Sequence, residues 1–323
     1  MTDAIVAEGL VKRYKNVTAL AGIDLRVPEG SVLAMLGPNG AGKTTAVKIL
    51  TTLIAADEGR AWVAGCDVAD DPRGVRRKIG VSGQYAAVDE YLTGFENLEM
   101  IGRLYHLGRR ASAARARELL AQFRLEDAAD RPSKTYSGGM QRRLDLAGAL
   151  VARPPVLFLD EPTTGLDPRS RTEMWSLLQA LVSGGTTLLL TTQYLEEADL
   201  LADNIVVIDN GKVIAEGTAD DLKSQVGGER LEITVAEDTH IRAAAELLSP
   251  LAAGEVTSDE GRRSLVVPVS GGAAVLADAL RRLDAAGVRV DDVGLRRPTL
   301  DDVFLTLTGH MAEATPEPEE AHR

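Results

Sequence analysis

The chain has 323 residues, 45% of them hydrophobic and 26% charged, which is enough for one large α/β domain and a smaller companion. Its 48 acidic side chains against 36 basic ones give a formal net charge of −12. That balance argues against a nucleic-acid partner, because neutralising phosphates needs a basic surface.

The opening MTDAIVAEGL has neither the basic start nor the apolar core of a secretory leader, and residues 1 to about 30 alternate apolar and polar. With turn signals at Gly22 and Pro28–Gly30, this reads as a short antiparallel sheet. SVLAML (31–36) is a buried-strand run that leads into a glycine-rich loop and the helical pattern TTAVKILTTLI. The lone cysteine, Cys66, excludes an intrachain disulfide; a reducing compartment fits, as would a disulfide-free secreted protein. The basic stretches Arg73–Lys78 and Arg109–Arg117 read as solvated helix faces. From about 88 to 152 the spacing turns helical (FENLEMIGRLYHLG, AARARELLAQFRL), which predicts a helical insert forming its own subdomain.

VLFLD (156–160) and TTLLLTT (186–192) are further strands of buried length, each followed by a polar turn and a helix-like stretch. Asn210–Gly211 between two β-prone runs predicts a hairpin. After Gly217 come a helix and linker, then LEITVAE, a helix around 241–251, SLVVPVS, a helix around 274–286 and VRVDDVGL. These predict a small β/α/β unit with an antiparallel sheet. The ending MAEATPEPEEAHR predicts disorder. No apolar run reaches the roughly 20 residues that span a bilayer, so any membrane part must come from another chain.

Gly37, Pro38, Asn39, Gly40, Ala41, Gly42, Lys43 and Thr44 match the phosphate-loop pattern in its required place between strand and helix. Glycines let backbone N–H groups face phosphate oxygens, and the helix N-terminus adds a favourable dipole. Lys43 is expected at the β- and γ-phosphates, Thr44 on Mg²⁺, and Thr45 beside it in the same nucleotide-binding set. Asp160 and Glu161 end the strand VLFLD. The first carboxylate is placed to hold Mg²⁺ and the second to polarise the attacking water.

Together with Ser137-Gly138-Gly139-Met140-Gln141 upstream of Asp160, these motifs resemble the ABC ATPase family over roughly residues 4–225. The serine–glycine element heads a helical pattern and so forms a second anion site at a helix N-terminus. The resemblance implies that this site closes on ATP held by the opposite subunit of a head-to-tail homodimer. It also implies adenine stacking on Tyr14, a Mg²⁺ contact from Gln84, and a dimer-crossing loop at Gly165-Leu166-Asp167. Two departures stand out: the signature reads YSGGMQ, and the family's switch histidine is Gln193 here. Glutamine donates a hydrogen bond to a γ-phosphate but does not titrate near neutrality, so catalysis leans on Glu161.

LLTTQYLEEADLLAD and LRRPTLDDVFLTLTG resemble the daunorubicin-resistance type of ABC ATPase; Arg296, Arg297, Pro298, Leu300, Asp301, Val303 and Phe304 match its C-terminal segment. Members pair with a separate ABC-2 type membrane permease and export hydrophobic antibiotics or lipids. Read directly, Pro298 opens a helix whose buried face is Leu300, Val303, Phe304 and Leu307, with Asp301–Asp302 at its N-terminal dipole.

The expected fold is a P-loop NTPase. Its nucleotide-binding domain (1–225) has a RecA-like α/β core, an antiparallel β-subdomain and a helical subdomain; a small C-terminal α+β domain (226–310) and a disordered tail (311–323) follow. The expected function is Mg²⁺-dependent ATP hydrolysis driving efflux of a hydrophobic drug or antibiotic through the separate permease, or of a lipid or glycan in its place, peripherally on the cytoplasmic side of the cell membrane. The rival is a non-transport ABC ATPase acting on ribosomes or DNA. Such proteins usually carry two cassettes or a long coiled-coil insert, and neither is visible here. A regulatory module without turnover is disfavoured by the intact Lys43, Asp160 and Glu161.

Overall fold

The computed structural model describes residues 2–83, 88–226, 228–259 and 261–309, and the chain divides between Ala219 and Asp220 into two compact units. Gln84 and the tail 311–323 lie outside the described residues.

The first unit opens with a long hairpin, β1 (Asp3–Tyr14) and β2 (Val17–Pro28). Next comes β3 (Val32–Leu36), five residues all buried, as a strand covered on both faces must be apolar throughout. Helix α1 (Lys43–Leu50) leads to β4 (Glu58–Val63) and β5 (Cys66–Asp67). These join the hairpin in the order β2-β1-β4-β5, so the antiparallel sheet takes strands from beyond residue 30. Helix α2 (Pro72–Lys78) carries the first basic stretch and precedes β6 (Ile79–Ser82).

The insert supplies α3 (Gly94–Leu104), α4 (Arg109–Gln122) and α5 (Gly138–Ala149). A capping box starts α3: Thr93 Oγ1 accepts from the Glu96 N–H, and the Glu96 carboxylate accepts from the Thr93 N–H. The chain then alternates β7 (Val156–Asp160), α6 (Pro168–Ser183), β8 (Thr187–Thr192), α7 (Leu195–Leu201) and β9 (Asn204–Asp209), and closes on β10 (Lys212–Gly217).

The second sheet runs β10-β9-β3-β8-β7-β6, parallel from β6 to β9, with β10 antiparallel at the edge. The β9–β10 turn has φ of +47° at Asn210 and +73° at Gly211, the paired left-handed conformation of a tight hairpin. One apolar core serves both sheets: Ile5, Leu20 and Ile23 pack in the same cluster as Met35, Ile49, Phe158 and Val206. Parallel register brings the C-terminal ends of β3, β8 and β7 to one edge, with Leu36 opposite Thr192 and Asp160 opposite Thr191. Ligands of open α/β sheets bind at that edge.

In the second unit, after α8 (Ala219–Val226), the order is β11 (Glu229–Val235), α9 (Ile241–Leu248), β12 (Thr257–Asp259), β13 (Ser264–Val269), α10 (Ala273–Ala285) and β14 (Val290–Arg296). The antiparallel sheet β12-β13-β11-β14 makes this the βαββαβ arrangement called ferredoxin-like. Leu231, Ile233, Leu265 and Val267 alternate inward to meet Ile241 and Leu248 of α9 and Leu283 of α10. The final helix, α11 (Leu300–Thr308), is capped by Thr299, whose Oγ1 accepts from the Asp302 N–H; Pro298 precedes the cap and does not open the helix. Leu300, Val303 and Phe304 are buried, but Leu307 is 36% exposed and drops out of the expected face.

Candidate active site

The phosphate loop leaves β3 and enters α1 under tight crowding. A Cβ at Gly37 would stand 2.2 Å from the Ile208 carbonyl oxygen, and one at Gly42 would stand 2.4 Å from that of Ala19. Both positions therefore exclude any side chain. Pro38 is half-buried, Asn39 and Gly40 form the exposed tip, and Ala41 is buried. The Ala41 carbonyl accepts from the Gly211 N–H at 2.9 Å, so the β9–β10 turn braces the loop. Lys43 is 5% exposed and its ammonium donates to the carbonyls of Gly37 (2.6 Å) and Pro38 (3.0 Å). This places a positive charge over the cradle. Thr44 and Thr45 are half-buried in the first turn of α1.

Strand register delivers the carboxylates. Asp160 is 6% exposed, and its Oδ1 accepts from Thr191 Oγ1 at 2.5 Å and from Thr44 Oγ1 at 3.3 Å. Glu161 follows with φ +50°, a left-handed conformation that costs a residue bearing a β-carbon roughly 1–3 kcal/mol. Its N–H is held by the carbonyl (3.0 Å) and hydroxyl (3.1 Å) of Thr191, and its carboxylate accepts from Thr164 Oγ1 at 3.3 Å.

Tyr14 ends β1 with a 44% exposed side chain, and the Lys12 ammonium lies 5.7 Å from its ring centroid. Gln193 is half-buried in the turn between β8 and α7. A second group stands on other helices. Ser137 caps α5, accepting from the Met140 N–H at 3.3 Å; Gly138 is exposed. Gly139 is buried against Ser170, where a Cβ would fall 2.6 Å from the hydroxyl oxygen. Asp167 caps α6, and its carboxyl, held below the usual carboxylate range, accepts from the Ser170 hydroxyl (2.6 Å) and N–H (2.9 Å). The fold thus gathers residues 37–45, Asp160 and Glu161 at the sheet edge. It gathers Gly139 and Asp167 around Ser170, with Ser137 capping the helix that carries Gly139, and with no hydrogen bond from Ser137 or Asp167 to the loop among the described residues.

Three partners escape sequence reasoning. Thr191 is one of them. Arg142 is 8% exposed and donates to the carbonyls of Asp160 and Glu161. Burial pulls its pKa below the ordinary arginine value, with Asp145 opposing most, yet a guanidinium stays charged in proteins. Glu197 on α7 is fully buried, with its Oε1 accepting from the Trp175 indole at 3.1 Å and the hydroxyls of Thr192 and Thr163 facing its carboxylate. Burial pushes its carboxyl above the ordinary range, opposed first by the Thr192 and Thr163 hydroxyls and the Trp175 indole and least by Arg171. The only signal was the spacing of charges in MQRRLDLAGAL, where Arg142 and Asp145 lie three apart on one helical face.

Residues 20–164 match the family described as ABC transporter, and residues 217–308 match the C-terminal domain of DrrA1-3-like ATP-binding proteins. The daunorubicin resistance ATP-binding protein DrrA2 of Streptomyces coeruleorubidus is 59% identical over 97% of this chain and 97% of its own. This chain belongs to the ABC transporter ATP-binding subunits of the daunorubicin-resistance type. The ABC subunit is also 38% identical to the Nod factor export ATP-binding protein I of Ralstonia nicotianae, over 95% of this chain and 94% of that one. Among solved structures, a dimeric post-hydrolysis ATP-binding cassette bound to ADP and Pi matches with a TM-score of 0.62 and 28% identity. The match covers 66% of this chain and 98% of that one. The subunit is therefore an ATPase of the P-loop class.

Proposed function

We propose that this ABC ATPase hydrolyses Mg-ATP as a head-to-tail homodimer on the cytoplasmic side of the cell membrane and drives efflux of a hydrophobic drug or antibiotic through a separate ABC-2 type permease. Residues 1–225 are the nucleotide-binding domain, about 88–152 its helical subdomain, and 226–310 a small C-terminal domain. The observation that carries this reading is the strand-end cluster in which Asp160 meets both Thr44 and Thr191.

Thr44 and Asp160 offer adjoining hard oxygen donors, the set that suits Mg²⁺, which when bound neutralises phosphate charge. Lys43 brings its ammonium to the β- and γ-phosphates. Glu161 polarises the attacking water, and Gln193 donates its amide to the γ-phosphate. The exposed ring of Tyr14 stacks on adenine. Ser137, Gly138 and Gly139, presented with Asp167 apart from their own loop, complete the site of the opposite subunit. Gln84 keeps the Mg²⁺ contact that the family resemblance implies.

A permease segment has a place to dock. A groove of about 310 Å³ is lined by Leu53, Ile79, Val81, Ile101 and Tyr105, with Leu53 67% exposed at its rim. No helix among the described residues is long and apolar enough to cross a membrane.

The test uses Glu161→Gln. Mg-ATP binding by calorimetry should persist, steady-state hydrolysis should be lost, and an ATP-bound dimer should accumulate on size exclusion. Near-normal hydrolysis would place the base elsewhere. Vesicles holding the subunit with its permease should take up a fluorescent anthracycline only with ATP; hydrolysis without uptake would reject the drug as cargo.

A further inference from the structure

Arg142 belongs to neither the phosphate loop nor the signature Ser137–Gly139, yet its buried guanidinium is directed at the peptide groups around Glu161. Nε donates to the Pro162 carbonyl at 2.7 Å. One terminal nitrogen donates to the carbonyls of Asp160 (3.1 Å) and Glu161 (2.9 Å), and the other to that of Gly83 (2.6 Å). A planar fork engaging successive carbonyls fixes the turn that carries Glu161 in its left-handed conformation. Counter-charge comes from Asp145 one turn along α5, 3.7 Å from Arg142, whose carboxylate also accepts from Ser82 Oγ on β6. A buried guanidinium without that partner would be strongly unfavourable.

Both residues sit on α5, the helix whose first turn presents the signature serine and glycines. Asp145 also lines the groove between Leu53 and Tyr105. One rigid element therefore has its cap aimed outward, its counter-ion at the groove and its arginine on the catalytic turn.

We propose that Arg142 is a positioning residue for ATP hydrolysis: it ties the orientation of α5 to that of Glu161 in the same subunit, with Asp145 fixing the plane of the guanidinium. This rests on the reading of Glu161 as the group that polarises water. When the N-terminus of α5 engages nucleotide on the opposite subunit, the displacement reaches Glu161 of its own site.

The experiment compares wild type, Arg142→Met, Arg142→Lys and Asp145→Asn for kcat, KM and Mg-ATP affinity, with Arg142→Met repeated in a Glu161→Gln background. Misplacing a catalytic group by an ångström lowers rates on the order of 100-fold, so kcat of Arg142→Met should fall by about that factor. KM and affinity should stay within about threefold of wild type, the mark of an interaction that matters only in the transition state. Lysine should restore part of the rate, since an ammonium reaches some of the carbonyls but not the whole set. With Glu161→Gln already in place, Arg142→Met should leave the residual single-turnover rate of that protein unchanged.

A wild-type kcat in Arg142→Met, or a second full loss in the Glu161→Gln background, overturns the proposal. So does a fall in affinity as large as the fall in kcat. If Arg142→Met does not fold, wild-type rates in Arg142→Lys and Asp145→Asn together overturn it. An active Glu161→Gln protein defeats the reading of Glu161 itself. An inactive one beside a fully active Arg142→Met defeats only the role of Arg142.

Discussion

The sheet edge of the first unit and the small sheet of the second are built on opposite principles. Around Glu161 the chain places charges where they are hard to bury, holds a left-handed backbone at a residue with a side chain, and depends on hydroxyls and an arginine to keep both in place. In the second unit Leu231, Ile233, Leu265 and Val267 simply alternate inward, and the ion pairs, such as Arg230 with Glu232, lie at its surface. One region trades packing for chemistry, while the other is held by packing. Substitutions should therefore show up in function in the first region and in stability in the second.

The largest effect should come from Gly37→Ala. Its methyl would stand 2.2 Å from the Ile208 carbonyl oxygen, so either the loop or the β9–β10 hairpin must move. Nucleotide binding measured by calorimetry should be abolished, and intact binding would mean that the crowding is relieved cheaply. Leu265→Ala should destabilise the protein by about 2–5 kcal/mol in urea, as for other fully buried leucines, with Mg-ATP affinity per folded molecule unchanged. A matching loss of affinity would blur the contrast.

A smaller change is expected at Gln193. Gln193→Ala should slow hydrolysis more than it weakens ATP binding, and Gln193→His should add a pH dependence near the imidazole pKa of about 6.5 that wild type lacks. Superimposable pH–rate profiles at saturating Mg-ATP would remove Gln193 from the site.

The smallest effect concerns Glu197. Burial raises its pKa in the folded protein above the ordinary 4.5, so the folded form keeps the proton to higher pH than the unfolded form does. The stability it contributes is full below that ordinary value and is lost as pH rises through the folded one. Glu197→Gln, which cannot ionise, should lack this loss and melt higher than wild type at pH 8, with the gap closing toward pH 4. An identical pH dependence in both proteins would mean that Glu197 ionises as freely folded as unfolded.

The phosphate loop was legible because each residue there answers a local backbone demand, and Asp160 with Glu161 because they end an apolar strand. Arg142 was not, because its partner at Gly83 lies 59 positions away and only the packing of α5 brings them together. Thr191 reaches Asp160 across 31 positions for the same reason. In the second unit β12 was missed because Thr257, Ser258 and Asp259 are all exposed and polar, with no periodicity to read. Leu307 was misplaced because helical spacing names the apolar residues and not how far the covering surface extends.

The β9–β10 turn bears on how this protein can be engineered. By sequence Asn210–Gly211 is a surface hairpin tip, the kind of place where a reporter, affinity tag or new chain terminus is normally inserted. Here Gly211 is buried. It donates its N–H to Ala41 in the phosphate loop at 2.9 Å and accepts from the Ala21 N–H of the antiparallel sheet at 2.8 Å. An insertion at this tip would break both ties and so reach the nucleotide cradle from some 170 residues downstream in the chain, roughly the span from Ala41 to Gly211. Labels for following this ATPase at work belong on other loops.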